Sequence, residues 1–454
     1  MAYGFPPAQS RQSTLLRFAE ARSPRYTSYP TAPHFHEGVT GQTYAAWLEQ
    51  LAPDAPVSLY LHVPYCRSLC WYCGCNTRAT TRDEPVAAYL ARLLAELRLV
   101  ADHLPARMTI SHLALGGGTP AILKPDQIDA LMAAVRARFD FAADAELSME
   151  IDPRHFDAED AAALARNGFT RASTGVQSFD PAVQAAINRI QPFDMVRDAF
   201  DMLRAEGVTK INADLIYGLP KQSVDSARAS AEAAAALDPD RLAVFGYAHV
   251  PHMKSHQNLI LEADLPDAPA RIDQADAMEA ALMRCGYRAV GIDHYAKPDD
   301  PMTKALDAGT LKRNFQGYTT DRADTLIALG ASAIGAAPQG YVQNIADVRA
   351  WSQAVEAGAL PIARGVAVSA EDALRRAIIE RIMTDLEVDV DAVAARYGLS
   401  APAFDIAELE AAGVAAREGS VIHVNPAFKP LARLAAAAFD ERLAAGPVKH
   451  SVSV

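Results

Sequence analysis

Long apolar runs are missing from the chain. The best of them, Leu326 to Pro338, is broken by glycine and serine well short of the about eighteen apolar residues that a membrane-spanning helix needs. Positive charge is also scarce, with 43 basic residues against 55 acidic ones and a net charge of −12. No Lys/Arg-rich block or basic face with interleaved aromatics is present, so nucleic acid is excluded as an expected partner. Cysteine is rare, at five in 454 residues. The stretch Met1 to Phe18 has no apolar centre and carries Arg11 and Arg17, which speaks against a secretory leader and places the free thiols in a reducing, cytoplasmic setting.

What cysteine there is falls together. Cys66, Cys70, Cys73 and Cys75 lie within ten positions, and the first three form a C-x3-C-x2-C run. Thiolates at that spacing on one loop can hold three corners of an iron-sulfur cubane and leave the fourth iron open. Structural zinc is a weaker alternative, because it wants four ligands and usually two separated knuckles. A disulfide is weaker still without a secretory context. Cys285 stands more than two hundred residues away and is expected to be a small buried apolar side chain.

The length exceeds what one core normally serves, and half of the residues are apolar, which predicts one large domain and one smaller one. Residues 1 to 40 are rich in Pro, Ser, Tyr and Arg without periodicity and form an arm. From residue 57, β-rich runs alternate with helical patterns. Ser58 to Val63, Ile110 to Leu115, Glu146 to Ile151, Arg171 to Gln177, Ile211 to Tyr217, Arg241 to Tyr247 and Tyr287 to Asp293 read as strands of a parallel sheet with helical crossovers. Polar residues crowd at the strand ends, as in Glu150, Gln177, Asp214 and Asp293, which suits a complete or partial barrel whose ligands sit at that edge. The expected fold is α/β: a partial TIM-type (β/α)6 barrel over 41–360, preceded by the arm and followed by a smaller, mainly helical domain over 361–454. In the latter, helices run from Ser369 to Leu386, Val390 to Tyr397, Pro402 to Ala412 and Pro430 to Ala445.

The cysteine loop follows the first strand directly, so its cluster would sit at the C-terminal mouth of the barrel. In this position C-x3-C-x2-C resembles the radical S-adenosylmethionine (SAM) superfamily, in which the open iron chelates SAM. Gly116-Gly117-Gly118-Thr119-Pro120 ends the second strand; a glycine triplet alone is more often a turn, and it lacks the pattern of a phosphate loop or a dinucleotide fingerprint. Beside the cysteine loop it resembles the superfamily's segment that meets the methionine end of SAM. Four further motifs occur in order: Pro24-Arg25-Tyr26-Thr27-Ser28-Tyr29-Pro30-Thr31, Cys73-Gly74-Cys75-Asn76, Asp214-Leu215-Ile216-Tyr217-Gly218-Leu219-Pro220 and Asn314-Phe315-Gln316-Gly317-Tyr318. Together they are similar to the oxygen-independent coproporphyrinogen III oxidase family, from residue 22 to beyond 380.

That resemblance implies conversion of two propionates of coproporphyrinogen III to vinyl groups, giving protoporphyrinogen IX in haem synthesis by a 5′-deoxyadenosyl radical. It implies a [4Fe-4S] cluster on Cys66, Cys70 and Cys73, and two SAM molecules. Tyr60, Gly117, Glu150 and Ile334 would contact the first SAM. Tyr72, Gly118, Thr119, Gln177, Arg189, Asp214 and Ala248 would contact the second. Tyr60 and Cys75 are candidate catalytic residues, with Cys75 shaping the site or serving the second half-reaction. An electron donor such as flavodoxin or ferredoxin is implied, and a monomer is expected. Tyr72 stands where the family often has phenylalanine, and Gly246 replaces an asparagine. Arg25, Lys297 and Arg313 are candidates to meet the four substrate carboxylates, and Tyr26 and Tyr29 suggest an arm that covers the barrel mouth. A haem-binding chaperone of the same superfamily is the second reading; those proteins typically lack the Gly74-Cys75-Asn76 context and the tyrosine-rich arm. A protein that only passes electrons would leave the glycine triplet, Glu150 and Asp214 unexplained.

Overall fold

The computed structural model describes residues 11–21 and 23–443. Six parallel strands form its centre: β1 (Val57–Val63), β2 (Thr109–Gly117), β3 (Asp140–Ile151), β4 (Arg171–Gln177), β5 (Lys210–Tyr217) and β6 (Arg241–Gly246). They pair in sequence order. Helices α1 (Glu84–Ala101), α2 (Pro125–Arg136), α3 (Ala158–Arg166), α4 (Phe193–Ala205) and α5 (Val224–Ala236) return the chain between them, and α6 (Ala268–Arg284) follows β6. This is the partial (β/α)6 barrel expected from the alternation.

The sequence explains the layers. In β1 every second residue, Val57, Leu59, Leu61 and Val63, faces the helices, while Ser58, Tyr60 and His62 face inward. Helix α1 supplies the matching stripe Val86, Tyr89, Leu90, Leu93, Leu97 and Val100 at helical spacing. The inward face is polar on several strands. Glu146 on β3 pairs with Arg171 on β4 at 2.9 Å, and Arg241 on β6 pairs with Asp300 at 2.8 Å.

The seventh expected strand, Tyr287 to Asp293, is a departure. It forms two short antiparallel strands, Arg288–Val290 and His294–Ala296, around Gly291. Gly291 has φ +59°, and a Cβ there would come within 2.1 Å of the Tyr318 ring, so the chain turns where a seventh parallel strand would continue. The barrel stays open. On its other side β1 pairs with Thr325–Leu329, and an antiparallel series through Ile334–Ala337 and Gly340–Asn344 ends at Ile362–Ala367.

The arm is more ordered than its composition suggests. Arg11–Arg17 is helical, and Leu15, Phe18, Tyr26 and Tyr29 belong to the core of the C-terminal region with Leu374, Ile378, Phe428 and Phe439. The Tyr26 hydroxyl donates to Asp440 at 3.0 Å. In that region Ser369 caps the helix Ala370–Asp385 through a reciprocal capping box, and Val390–Tyr397 is helical as expected. Three short strands form a small sheet there. The last expected helix, Pro430 to Ala445, is shorter than the sequence suggests: a 3-10 turn, Pro426–Leu431, leads into Ala432–Ala437, where the α-helix ends, and residues 444 and 445 lie outside the described residues.

Candidate active site

The cysteine loop leaves β1 at the C-terminal mouth, and its backbone is held from distant segments. Asn188 donates to the carbonyl of Leu69 at 2.9 Å, Gln257 to that of Tyr72 at 2.9 Å and Lys254 to that of Cys75 at 2.8 Å. The His256 ring lies 2.7 Å from the Cys73 carbonyl, and His62 lies 3.1 Å from that of Asn76.

The sulfurs are surrounded by donors. Thr119 Oγ1 lies 3.3 Å from Cys66 Sγ, Arg154 and Arg189 approach Cys70 Sγ at 3.4 and 3.5 Å, and the Cys75 backbone N–H donates to Cys73 Sγ at 3.4 Å. Hydrogen bonding from Cys75 brings the Cys73 thiol down to about 6, whereas burial pushes Cys66 up.

The glycine triplet forms the opposite wall. A Cβ on Gly116 would come within 2.7 Å of Glu150 Oε1, and one on Gly118 within 2.6 Å of the Tyr65 carbonyl. Gly117, at φ +112°, would press on the His62 ring. Only glycine lets this strand end pass between the cysteine loop and Glu150. The Gly117 N–H donates to Glu150 Oε2 at 3.3 Å, and the Tyr60 hydroxyl is 3.1 Å from His62 Nδ1.

Glu150 is reached by solvent through the mouth but is enclosed by protein on its other sides. Burial, with the Asp214 carboxylate, pushes it up to about 7. Burial likewise pushes Asp214 up to about 6 against the pull of His294 and Arg189, and Asp214 makes no hydrogen bond among the described residues. Gln177 sits at φ +66° with its Oε1 buried and without a partner.

The candidate residues divide between two halves of the mouth. Tyr60 on β1, Gly117 on β2, Glu150 on β3 and Ile334 on a strand of the β1 side form one group. Gln177 on β4, Asp214 on β5 and Ala248 just past β6 form the other. Tyr72 packs with Trp71 against Val183, Ile187 and Tyr247. Gly118 and Thr119 lie at the first half, where Thr119 serves the Cys66 sulfur. Cys75 is exposed at the loop tip.

A model of the Radical SAM superfamily matches residues 60–234. The oxygen-independent coproporphyrinogen III oxidase of Bradyrhizobium diazoefficiens is 47% identical over 449 residues, covering 98% of this chain and 100% of the relative. That of Paracoccus denitrificans is 41% identical, covering 95% and 97%. The solved structure of coproporphyrinogen III oxidase from Escherichia coli, a radical SAM enzyme, superposes with a TM-score of 0.87 at 36% identity, covering 92% of this chain and 98% of that one. The chain belongs to the oxygen-independent coproporphyrinogen III oxidase family.

Membership implies a [4Fe-4S] cluster and SAM. The residues fit both: three thiols on one loop receive N–H and O–H donors, as thiolate ligands do, and the glycine wall keeps side chains off the space before them.

Several residues at this site carried no sequence signal. Asp152 and Arg154 follow Glu150 directly, yet nothing local shows that Asp152 is 4% exposed or that it pairs with Arg154 at 2.6 Å and Arg189 at 3.5 Å. Lys254, His256 and Gln257 act on carbonyls far away in sequence. Two expectations are corrected. Cys285 is exposed, because it caps the C-terminus of α6 instead of lying on its apolar face. Lys297 pairs with Asp238 at 2.7 Å, away from the mouth, while Arg25 and Arg313 line one cleft.

Proposed function

We propose that this chain carries out the oxygen-independent oxidative decarboxylation of two propionates of coproporphyrinogen III to vinyl groups, giving protoporphyrinogen IX. The observation that carries this is the meeting, at one barrel mouth, of the three-cysteine loop, the glycine wall and Glu150 in a chain 47% identical to such an oxidase.

When bound, the cluster and SAM supply a 5′-deoxyadenosyl radical, by which each propionate loses a hydrogen atom next to the ring, then carbon dioxide and one electron to an acceptor. The protein's share is binding and exclusion. Cys66, Cys70 and Cys73 would hold the cluster. Tyr60, Gly117, Glu150 and Ile334 would hold one SAM, with Glu150 accepting from its amino group or ribose. Tyr72, Gly118, Thr119, Gln177, Arg189, Asp214 and Ala248 would hold a second; Gln177, Asp214 and Ala248 lie on the β4–β6 half, with Gly118 and Thr119 reaching it from the end of β2. Tyr60 and Cys75 would serve the chemistry at the first place and the loop tip. A donor such as flavodoxin or ferredoxin would bring electrons to a cytoplasmic monomer. No helix among the described residues is long and apolar enough to cross a membrane.

Anaerobic reconstitution with iron and sulfide, followed by reductant, SAM and coproporphyrinogen III, is expected to yield 5′-deoxyadenosine and vinyl porphyrin together. Deoxyadenosine without vinyl product would assign another substrate. Tight haem binding without SAM cleavage would favour the chaperone.

The raised carboxylates give a second expectation. Glu150 and Asp214 take charge as pH rises through about 7 and about 6. SAM affinity, measured by calorimetry on the reconstituted protein, should therefore rise from about pH 5.5 to about pH 7.5 and then level. Glu150→Gln should weaken binding at the plateau and remove the part of the rise nearest neutrality. In the SAM-free chain the sign is opposite. Folded pKa values above the ordinary ones make these two groups lower stability as pH rises from the usual carboxylate range to about 7.

A further inference from the structure

At the ends of β5 and β6, under the arm and against the C-terminal region, lies a cleft of about 280 Å³. Five arginines line it: Arg11, which is paired with Asp276, and, from four further segments, Arg25 of the arm, Arg271 of α6, Arg313 of the strand Lys312–Asn314 and Arg433 of the helix Ala432–Ala437. The carboxylates that share the cleft each pair with a further group. Asp276 pairs with Arg11, Glu279 with Lys429 at 2.7 Å, and Asp293 with His294 at 2.7 Å. Asp293 also faces Arg25, Arg313 and Arg433, whereas Arg271 has no carboxylate partner among the described residues.

Arg271 is fitted into place. A Cβ on Gly218 would come within 2.5 Å of its Nη1, and one on Gly246 within 3.2 Å of its Nη2 and 2.9 Å of the Tyr217 hydroxyl. The guanidinium lies 5.7 Å from the centre of the Tyr217 ring and has no hydrogen-bond acceptor among the described residues. Gly246, where the family has asparagine, is thus the opening that admits Tyr217 and Arg271 to the strand end. Arg313 stacks 4.5 Å over the Tyr318 ring, and its Nε and Nη1 are buried without an acceptor. Burial and the nearby Arg25 lower Arg433 to about 10. The donors of Arg271 and Arg313 that have no acceptor are costly to enclose unless an anion meets them. Planar forks held on aromatic faces are the geometry that receives carboxylates in pairs.

We propose that Arg25, Arg271, Arg313 and Arg433 form a carboxylate clamp for the propionates that are not reacting. This deepens, and rests on, the function proposed above. The reacting propionate loses its carboxylate as carbon dioxide, and an ion pair there would stabilise the starting state and raise the barrier. The remaining carboxylates have no such conflict. Ala248, assigned to the second SAM, lines the same cleft, so a substrate clamped here extends toward Asp214 and Glu150.

The test is fluorescence titration of the full, cluster-reconstituted chain with coproporphyrin III, the stable tetracarboxylate, and with its tetramethyl ester. The wild type should bind the acid and discriminate against the ester. Arg271→Gln and Arg313→Gln should each weaken binding of the acid at least about tenfold. Their double variant should no longer distinguish acid from ester. Arg271→Lys should recover only part of the loss, and Lys297→Gln should bind as the wild type does. Thermal midpoints and SAM binding near wild type in either single variant keep the result interpretable if the other fails to fold. Wild-type-like binding in both single variants, or an equal loss in Lys297→Gln, would overturn the clamp and leave the oxidase reading standing. Absence of coproporphyrin III binding by the wild type would overturn that reading itself.

Discussion

Cys70→Ala is expected to lower turnover by at least about 10⁴-fold, more than about 5 kcal/mol of lost barrier lowering. Cys70 is the most enclosed of the three loop thiols, 7% exposed, and the guanidiniums of Arg154 and Arg189 point at its sulfur. The alanine variant leaves those two guanidiniums facing an empty space. Iron and sulfide content and the visible absorption of the reconstituted protein should fall with activity, while far-ultraviolet dichroism stays unchanged because the loop lies outside the strands of the barrel. Cys75→Ala provides the contrast. Alanine removes the side-chain hydrogen bond to Cys73 but keeps the backbone N–H of residue 75 that donates to Cys73 Sγ, and residue 75 is exposed. Cluster content should be retained there. Equal loss of iron in both variants would contradict the ligand assignment.

The second large effect is on stability. Arg189→Met should destabilise the chain by about 3 kcal/mol, the low end of the cost of breaking a buried ion pair. Its guanidinium donates to the Gly175 carbonyl through both Nε and Nη2, at 3.1 and 2.7 Å, besides reaching Asp152 and Cys70. Methionine fills the volume but leaves those acceptors short of donors. Arg154 still pairs with Asp152, which is why the expected loss does not reach the top of the range. Burial alone would raise Asp152, but hydrogen bonding from Arg154 and the charges of Arg189 and Arg154 bring it down to about 2. That depressed value stabilises the fold above the ordinary carboxylate range and is lost as pH falls toward 2. The difference between wild type and variant, read by urea titration, should therefore narrow in acid. A difference that is constant with pH would mean that the Gly175 contacts carry the whole effect.

Much of this architecture was legible because its signals are local. The three-cysteine spacing, the glycine triplet and the alternation from Val57 to Gly246 each declare themselves within a few residues, and the strand ends carried Glu150 and Asp214 to the right edge. The misses share a cause. Arg154, His256, Gln257 and Arg271 act across the fold, and no short window distinguishes them from surface polar residues. The strand expected at Tyr287 to Asp293 failed because Gly291 meets Tyr318, a contact between residues that only the folded hairpin brings together. The helix at Arg11 was hidden because its partners come from far along the chain: Asp273 and Asp276 of α6 lie 261 and 265 positions beyond Gln12 and Arg11, and the core around Leu15 is completed by Leu374, Ile378 and Phe428.

The carbonyl clamp on the cysteine loop sets an order of events during synthesis. Lys254, His256 and Gln257 grip residues that precede them by 179, 183 and 185 positions. A growing chain that has exposed only β1 and its cysteines has none of these grips, and domains fold as units once their length is available. A loop with all of these grips in place can therefore exist only after the ribosome has passed β6.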